Sequence, residues 1–218
     1  MLRAIPLFNA LSDEDMKLVN EIAVEKRVPK NTVVMSEREL GDSLYAIVAG
    51  RVKVFIGDEE GREIILKILG PGEFFGEMSL IDKQPRSASV ATLDNSVFKV
   101  LSHDAFEMAL DRAPRIAISV MQALAKRLRD ADRKISTLAL MDVYGRVAHT
   151  LLELAVKIDG KLMVGEKLSQ QDIANMVGAS REMVNRILKD LSDRGYISVE
   201  SKSITIHNEK LPLTLMAL

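Results

Sequence analysis

The sequence predicts an α+β protein in three parts: a β-jelly roll, a long central helix and a C-terminal winged helix-turn-helix. Three observations predict it. Between Thr32 and Leu101 short β-branched runs alternate with turns, and seven of the twelve glycines (41, 50, 57, 61, 70, 72 and 76) punctuate the front of that stretch, as an antiparallel roll requires. From Pro114 to Met141 apolar residues recur at alternating spacings of four and three, with no glycine or further proline to interrupt them. From Leu168 onward the chain reads as a cap, a helix, a glycine turn, a second helix and two short strands.

Each element has a local cause. Ser12 precedes Asp15 at capping-box spacing, and Met16, Val19, Ile22 and Ala23 follow at helical period, so a short amphipathic helix opens the fold. The runs TVVMS, SLYAIVA, RVKVFI, EIILKIL, SASVATL and SVFKVL are the expected strands, and Asp58-Glu59-Glu60-Gly61 is the tip of a hairpin. Ser102 caps a helix with Phe106, Ala109 and Leu110 turned inward. The long helix then carries Ala117, Met121, Leu124, Leu128, Ala131, Ile135 and Leu138 as an a/d seam, flanked by charges. At ~1.5 Å per residue it reaches roughly 40 Å, and so narrow a seam suits an identical partner helix. Asp142 stands where the next seam residue would fall and caps a new helix, expected to run through Ile158. A hinge is therefore expected near 140–142, and the chain divides into 1–112, 113–141 and 142–218.

Composition narrows the chemistry. The chain has 218 residues, a formal net charge of -1 and no cysteine. Disulfides, cysteine-ligated clusters and thiol switches are excluded. His103, His149 and His207 lack metal-ligand spacing, so no metal is expected. No signal peptide or membrane-length apolar run is evident, which predicts a cytoplasmic protein without a membrane partner. No cysteine nucleophile, paired carboxylates or serine–histidine arrangement suggests an enzyme.

The stretch GPGEFFGEMSLIDKQPRSASV holds the densest chemistry. Gly76-Glu77-Met78-Ser79 reads as a strand turning into a very short helix, where backbone N–H groups can hold an anion. Arg86 offers a donor fork suited to a phosphate and Ser87 adds a hydroxyl. Glu77, acceptor-only when ionised, would repel that phosphate and needs a hydroxyl instead. A ligand with one phosphate beside a sugar hydroxyl satisfies both. The alternative is a ligand-free loop closed by an Arg86–Glu77 ion pair.

These residues carry a resemblance. GEFFGEMSL…PRSASV resembles the phosphate-binding cassette of cyclic-nucleotide-binding domains. SQQDIANMVGASREMVNRILKDL, with the long helix and LALMDVYGRVAHTLLELA, is similar to the cyclic-AMP receptor protein and fumarate-nitrate reduction regulator family of bacterial transcription regulators. The resemblance runs in order from Leu7 to His207. It implies a cyclic-nucleotide-binding roll, a dimerisation helix and a DNA-binding winged helix-turn-helix. By it, Gly76 and Met78 lie against the ligand through their backbone, Glu77 accepts from a ribose 2′-hydroxyl, and Arg86 and Ser87 hold the cyclic phosphate. The family's adenine-reading Thr–Ser pair aligns with Ala131 and Asp132, a departure that leaves cyclic AMP open against cyclic GMP or cyclic di-GMP. Asp132 can equally be a solvated flank, but a carboxylate suits the two donors of guanine's Watson–Crick edge.

On the second helix of the motif, Arg181, Glu182, Asn185 and Arg186 lie opposite the apolar face of Val184, Ile187, Leu188 and Leu191. They are either a charged solvent face or the base-reading face of a recognition helix. Arg suits guanine and Glu suits cytosine, and the resemblance implies that Arg181, Glu182 and Arg186 read a GTGA-type half-site. Ser169, Gln170, Ser180 and Lys189 are expected to serve phosphates. The expected function is a homodimeric, ligand-responsive transcription regulator on double-stranded DNA. The DEEG tip resembles a polymerase-contacting loop, which points to RNA polymerase as partner and to activation. The alternatives are a ligand-independent regulator, or a cyclic-nucleotide module acting on a partner protein, for which the outward Arg–Glu–Arg set would have no use.

Overall fold

A computed structural model describes Ile5, Phe8 and residues 11–164, 168–200 and 203–207. It divides into two compact units, one running to Asp130 without Arg62–Ile64, the other from Ala131 onward with those three residues.

In the first unit α1 spans Asp13–Ile22, and Ser12 Oγ accepts from the Asp15 N–H at 3.1 Å as the sequence requires. Three carboxylates in its first turn, Asp13, Glu14 and Asp15, suit the positive end of the helix. Next come β1 (Val24–Val28), β2 (Val33–Met35), β3 (Ser43–Ala49), β4 (Val52–Gly57), β5 (Glu63–Leu69) and β6 (Phe74–Phe75). Then follow α2 (Glu77–Asp82), β7 (Ser89–Thr92), β8 (Ser96–Ser102), α3 (His103–Arg112) and α4 (Arg115–Leu140). Two four-stranded sheets, ordered β1-β8-β3-β6 and β2-β7-β4-β5, form the roll. The sequence reading omits β1, whereas the strand expected to turn into a short helix at Gly76 is β6. Val24-Glu25-Lys26-Arg27-Val28 has three charges in a row, and its strand exists because it pairs in register with β8, Val24 against Val100 and Val28 against Ser96.

Strand alternation sends β3 to two cores. Ile47 joins Val28, Met35, Val52, Leu69, Phe75, Val90 and Phe98 between the sheets. Leu44 and Ala46 face α1, α3 and the start of α4, among Met16, Val19, Phe106, Ile116 and Val120. Tyr45 stacks on Phe75 at 5.0 Å, and Phe98 meets both edge-on, a geometry that adds about 0.5–1.5 kcal/mol per pair beyond burial. The hairpin tip forms as read, with the Glu60 N–H on Asp58 Oδ1 and the Gly61 N–H on the Asp58 carbonyl.

In the second unit α5 spans Val143–Leu154, and Asp142 Oδ1 accepts from the Gly145 N–H at 2.7 Å. The helix stops four residues short of the expected Ile158. Ala155–Ile158 is β9, paired antiparallel with β10 (Lys161–Val164). Asp159 and Gly160 take φ 48° and 80° at the turn, the pairing that an Asp-Gly hairpin favours. That dipeptide, set between VKI and KLMV, was the signal for two strands. The remaining elements are α6 (Gln170–Val177), α7 (Arg181–Asp193), β11 (Ile197–Glu200) and β12 (Ser203–Ile206), with sheet order β11-β12-β10-β9. The expected Ser201–Lys202 turn and the start of the resemblance at Leu7 lie outside the described residues.

Candidate functional site

Two places gather the residues singled out by sequence. The first surrounds the step from β6 to α2. Gly76 sits there at φ 86°, and a Cβ would fall 2.7 Å from the Ser43 carbonyl and 2.9 Å from Arg86 Nη1. Only glycine fits. Glu77 follows and is fully buried. Its Oε1 accepts from Arg127 Nη1 at 2.5 Å, while its Oε2 is buried with no hydrogen-bond partner. Arg127 also donates to the Phe74 carbonyl and lies over the Phe74 ring at 5.0 Å.

Arg86 is 6 % exposed. Its Nη1 donates to the Gly76 carbonyl at 2.6 Å and its Nη2 to the Ser43 carbonyl at 2.8 Å. The guanidinium lies directly against Gly41, where a Cβ would fall 1.9 Å from Nε. Burial lowers its pKa from the ordinary arginine value, with Tyr45, Asp42 and Glu77 acting in the opposite sense. A guanidinium has five N–H donors, so two carbonyl bonds orient it and leave others for an anion. The Arg86–Glu77 ion pair considered from sequence does not form. Glu77 pairs with Arg127 instead, fifty residues away. Ser87 is exposed and its Oγ lies 3.5 Å from Met78 Sδ. Gly76, Glu77, Met78, Arg86 and Ser87 thus come together, and Arg127 joins them unforeseen. Ala131 and Asp132 are exposed positions of α4 that fall in the second unit.

The second place is the α6–α7 pair. Ser169 caps α6 with a full capping box: Oγ accepts from the Asp172 N–H, and the Ser169 N–H donates back to Asp172 Oδ2. The Ser169 hydroxyl proton goes to Asp172 Oδ2 as well, at 2.7 Å. Both of its donors are therefore committed, and the phosphate contact expected of Ser169 requires the box to open. Ser180 Oγ accepts from the Met183 N–H at 3.2 Å and keeps its own proton to give. Gly178 closes α6 at φ 62°.

Val184, Ile187, Leu188 and Leu191 turn α7 inward, and Arg181, Glu182, Asn185, Arg186 and Lys189 are all exposed. No ion pair joins Glu182 to Arg186 among the described residues, so both ends are available. Gln170 Nε2 donates to Asn185 Oδ1 at 3.1 Å, tying the start of α6 to the middle of α7. Sequence reasoning missed the far end of α6. There Lys134 Nζ donates to the Met176 carbonyl at 2.5 Å and Arg146 Nε to the Val177 carbonyl at 2.8 Å. Two cations thus hold carbonyls that the last helical turn leaves open.

One domain thus holds a buried guanidinium and an orphaned buried carboxylate oxygen, and the other an exposed charged helix face, where the sequence resemblance expects an effector pocket and a DNA-reading helix. Comparison with known proteins agrees. Residues 25–113 match the cyclic nucleotide-binding domain family and residues 145–211 the Crp-like helix-turn-helix domain family. The chain is 39% identical over 186 residues to a CRP-like cAMP-activated global transcriptional regulator of Mycobacterium tuberculosis, covering 84% of this chain and 83% of that one. It is 30% identical to the cyclic AMP receptor protein of Thermus thermophilus, covering 96% of each. Among solved structures, the c-di-GMP responsive global regulator CLP of Xanthomonas campestris superposes with a TM-score of 0.79 at 28% identity, covering 89% of this chain and 99% of that one. The chain belongs to the CRP-like family of transcription regulators, which are not enzymes. Among the described residues no helix is long and apolar enough to cross a membrane, and no group of three or more His, Asp or Glu could hold a metal.

Proposed function

We propose that this protein is a homodimeric transcription regulator that binds a cyclic nucleotide in the roll and reads a GTGA-type palindrome with α7. The observation that carries the ligand half is the buried, unpartnered Oε2 of Glu77 beside the buried Arg86. Leaving a buried acceptor unpaired costs about 1–3 kcal/mol, and a ribose 2′-hydroxyl is a donor that ends that cost. Arg86 and Ser87 hold the cyclic phosphate, and Gly76 and Met78 present backbone to the ligand. Relatives named for cyclic AMP and a structural neighbour named for c-di-GMP keep both base classes in play. Ala131 and Asp132 on α4 are the positions that choose between them.

The seam of α4 supports the dimer: Met121 is 59% exposed, Leu128 65% and Ile135 65% in the single chain. Apolar positions repeated along one helix stripe pair with their own copies. Arg181 and Arg186 contact guanines, Glu182 accepts from a cytosine, and Gln170, Ser180, Asn185 and Lys189 set register on double-stranded DNA. The Asp58–Gly61 tip serves RNA polymerase, in an activator that works in the cytoplasm. The division 1–112, 113–141 and 142–218 follows these three tasks.

The test is calorimetric titration with cyclic AMP, cyclic GMP and cyclic di-GMP, followed by competition among single-base variants of a GTGA palindrome. Saturable binding of one nucleotide and loss at the guanine and cytosine positions are expected. No binding of any of the three, with equal affinity for every DNA variant, refutes the reading.

A further inference from the structure

The outward face of α7 carries one residue that none of these roles uses. Met183 is a large apolar side chain left 37% exposed, in the first turn of a helix whose other outward residues are charged or polar. It is not a core residue that strays outward, because the inner face of α7 is already filled by Val184, Ile187, Leu188 and Leu191. Its thioether lies 3.8 Å from Arg186 Nη2, so the side chain runs alongside a residue of the reading face. Its backbone N–H is held by Ser180 Oγ, which fixes where the side chain starts.

We infer that Met183 is a specificity-determining residue that recognises the 5-methyl group of a thymine in the major groove. This rests on the reading of α7 as the base-reading helix. The chemistry follows from what the groove offers. Donors and acceptors on base edges reward Arg, Glu and Asn, but the only apolar group presented there is the thymine methyl. An unbranched thioether gives up little on leaving water and adapts to the shape of a single methyl. The contact with Arg186 places that apolar tip next to the base pair Arg186 reads, so the chosen thymine is an immediate neighbour of a contacted guanine in either strand.

Removing methyl groups from the DNA tests this without disturbing the protein. Each thymine of a GTGA-type palindrome, in both strands, is replaced singly and symmetrically by deoxyuridine. Affinity is then measured for the parent, Met183→Leu and Met183→Gln, with and without cyclic AMP, cyclic GMP and cyclic di-GMP. Burial of one methyl is worth about a fourfold change in affinity per half-site. The parent and Met183→Leu are expected to lose about that factor at one thymine position, and Met183→Gln to lose none there. Selective binding of the palindrome with no deoxyuridine effect, or the same effect in all three proteins, overturns the role of Met183 alone. Failure to select any palindrome removes the base-reading function, and this inference with it.

Discussion

At the residue scale the informative group is Glu77. Its need for a donor was legible, because a carboxylate beside an arginine proposed to hold a phosphate makes chemical sense only if it meets one. Its partner was not. Arg127 looked like one flank charge among several, since helical period fixes the face of a residue but not what it touches fifty positions away. Replacing Arg127 with Met should strand the buried carboxylate and cost about 3 kcal/mol. Adding Glu77→Gln should recover much of that loss in thermal melts. If the double variant is no more stable than Arg127→Met, the pair is not what holds this corner. Arg86→Lys keeps a charge but cannot span both the Gly76 and Ser43 carbonyls. Its nucleotide affinity should fall about tenfold or more, roughly one or two charge-assisted hydrogen bonds. Titration showing parental affinity would remove Arg86 from the site.

Among the elements, the sequence was clearest where a cap and a period agree. Ser12, Ser102, Asp142, Ser169 and Ser180 each cap the helix assigned to them. It failed where tertiary pairing decides, as in β1, and where a turn signal went unread, as at Asp159-Gly160 between β9 and β10. The C-terminal end of α6 was illegible for a similar reason: Lys134 belongs to a helix read wholly as a dimer seam. Burial desolvates its ammonium and lowers its pKa from 10.5, with Glu153 opposing. The unfolded chain then holds this proton more tightly than the folded one, so the stability Lys134 contributes rises with pH as pH approaches 10.5. As pH rises toward 10.5 the parent should gain stability relative to Lys134→Met. Parallel pH profiles for the two would show that the ammonium is not desolvated.

For the whole molecule, the order of roll, long helix and helix-turn-helix was legible because three different periodicities follow one another. Less legible was how α4 divides its labour. Ile116 and Val120 are off the seam and are buried in the core of the first unit, and the seam's Leu124 still packs partly against that core, whereas Leu128, Ile135 and Leu138 further along are exposed. Leu128→Glu should place two like charges at the centre of the proposed dimer contact and leave the core of each unit intact. Light scattering should report a monomer with unchanged melting of the roll. A dimer that survives this change is built elsewhere. A formal net charge of -1 also means that attraction to DNA depends on the local face of α7, so affinity should be modest for random sequences and steeply salt-dependent.

The unpaired oxygen of Glu77 has a consequence for how long the protein lasts. A signal molecule that completes this corner adds RT ln(1 + [L]/Kd) to the folded state, about 2.7 kcal/mol at a hundredfold excess over Kd. Where proteolysis proceeds through opened molecules, that is roughly a hundredfold slower loss. If the proposed nucleotide binds there and turnover runs through opened molecules, the abundance of the regulator should follow its signal, high while the nucleotide is plentiful and falling once it is gone. Pulse-chase half-lives of the parent and of Arg86→Lys, taken at high and low nucleotide, would separate a memory held in protein lifetime from one held only in occupancy.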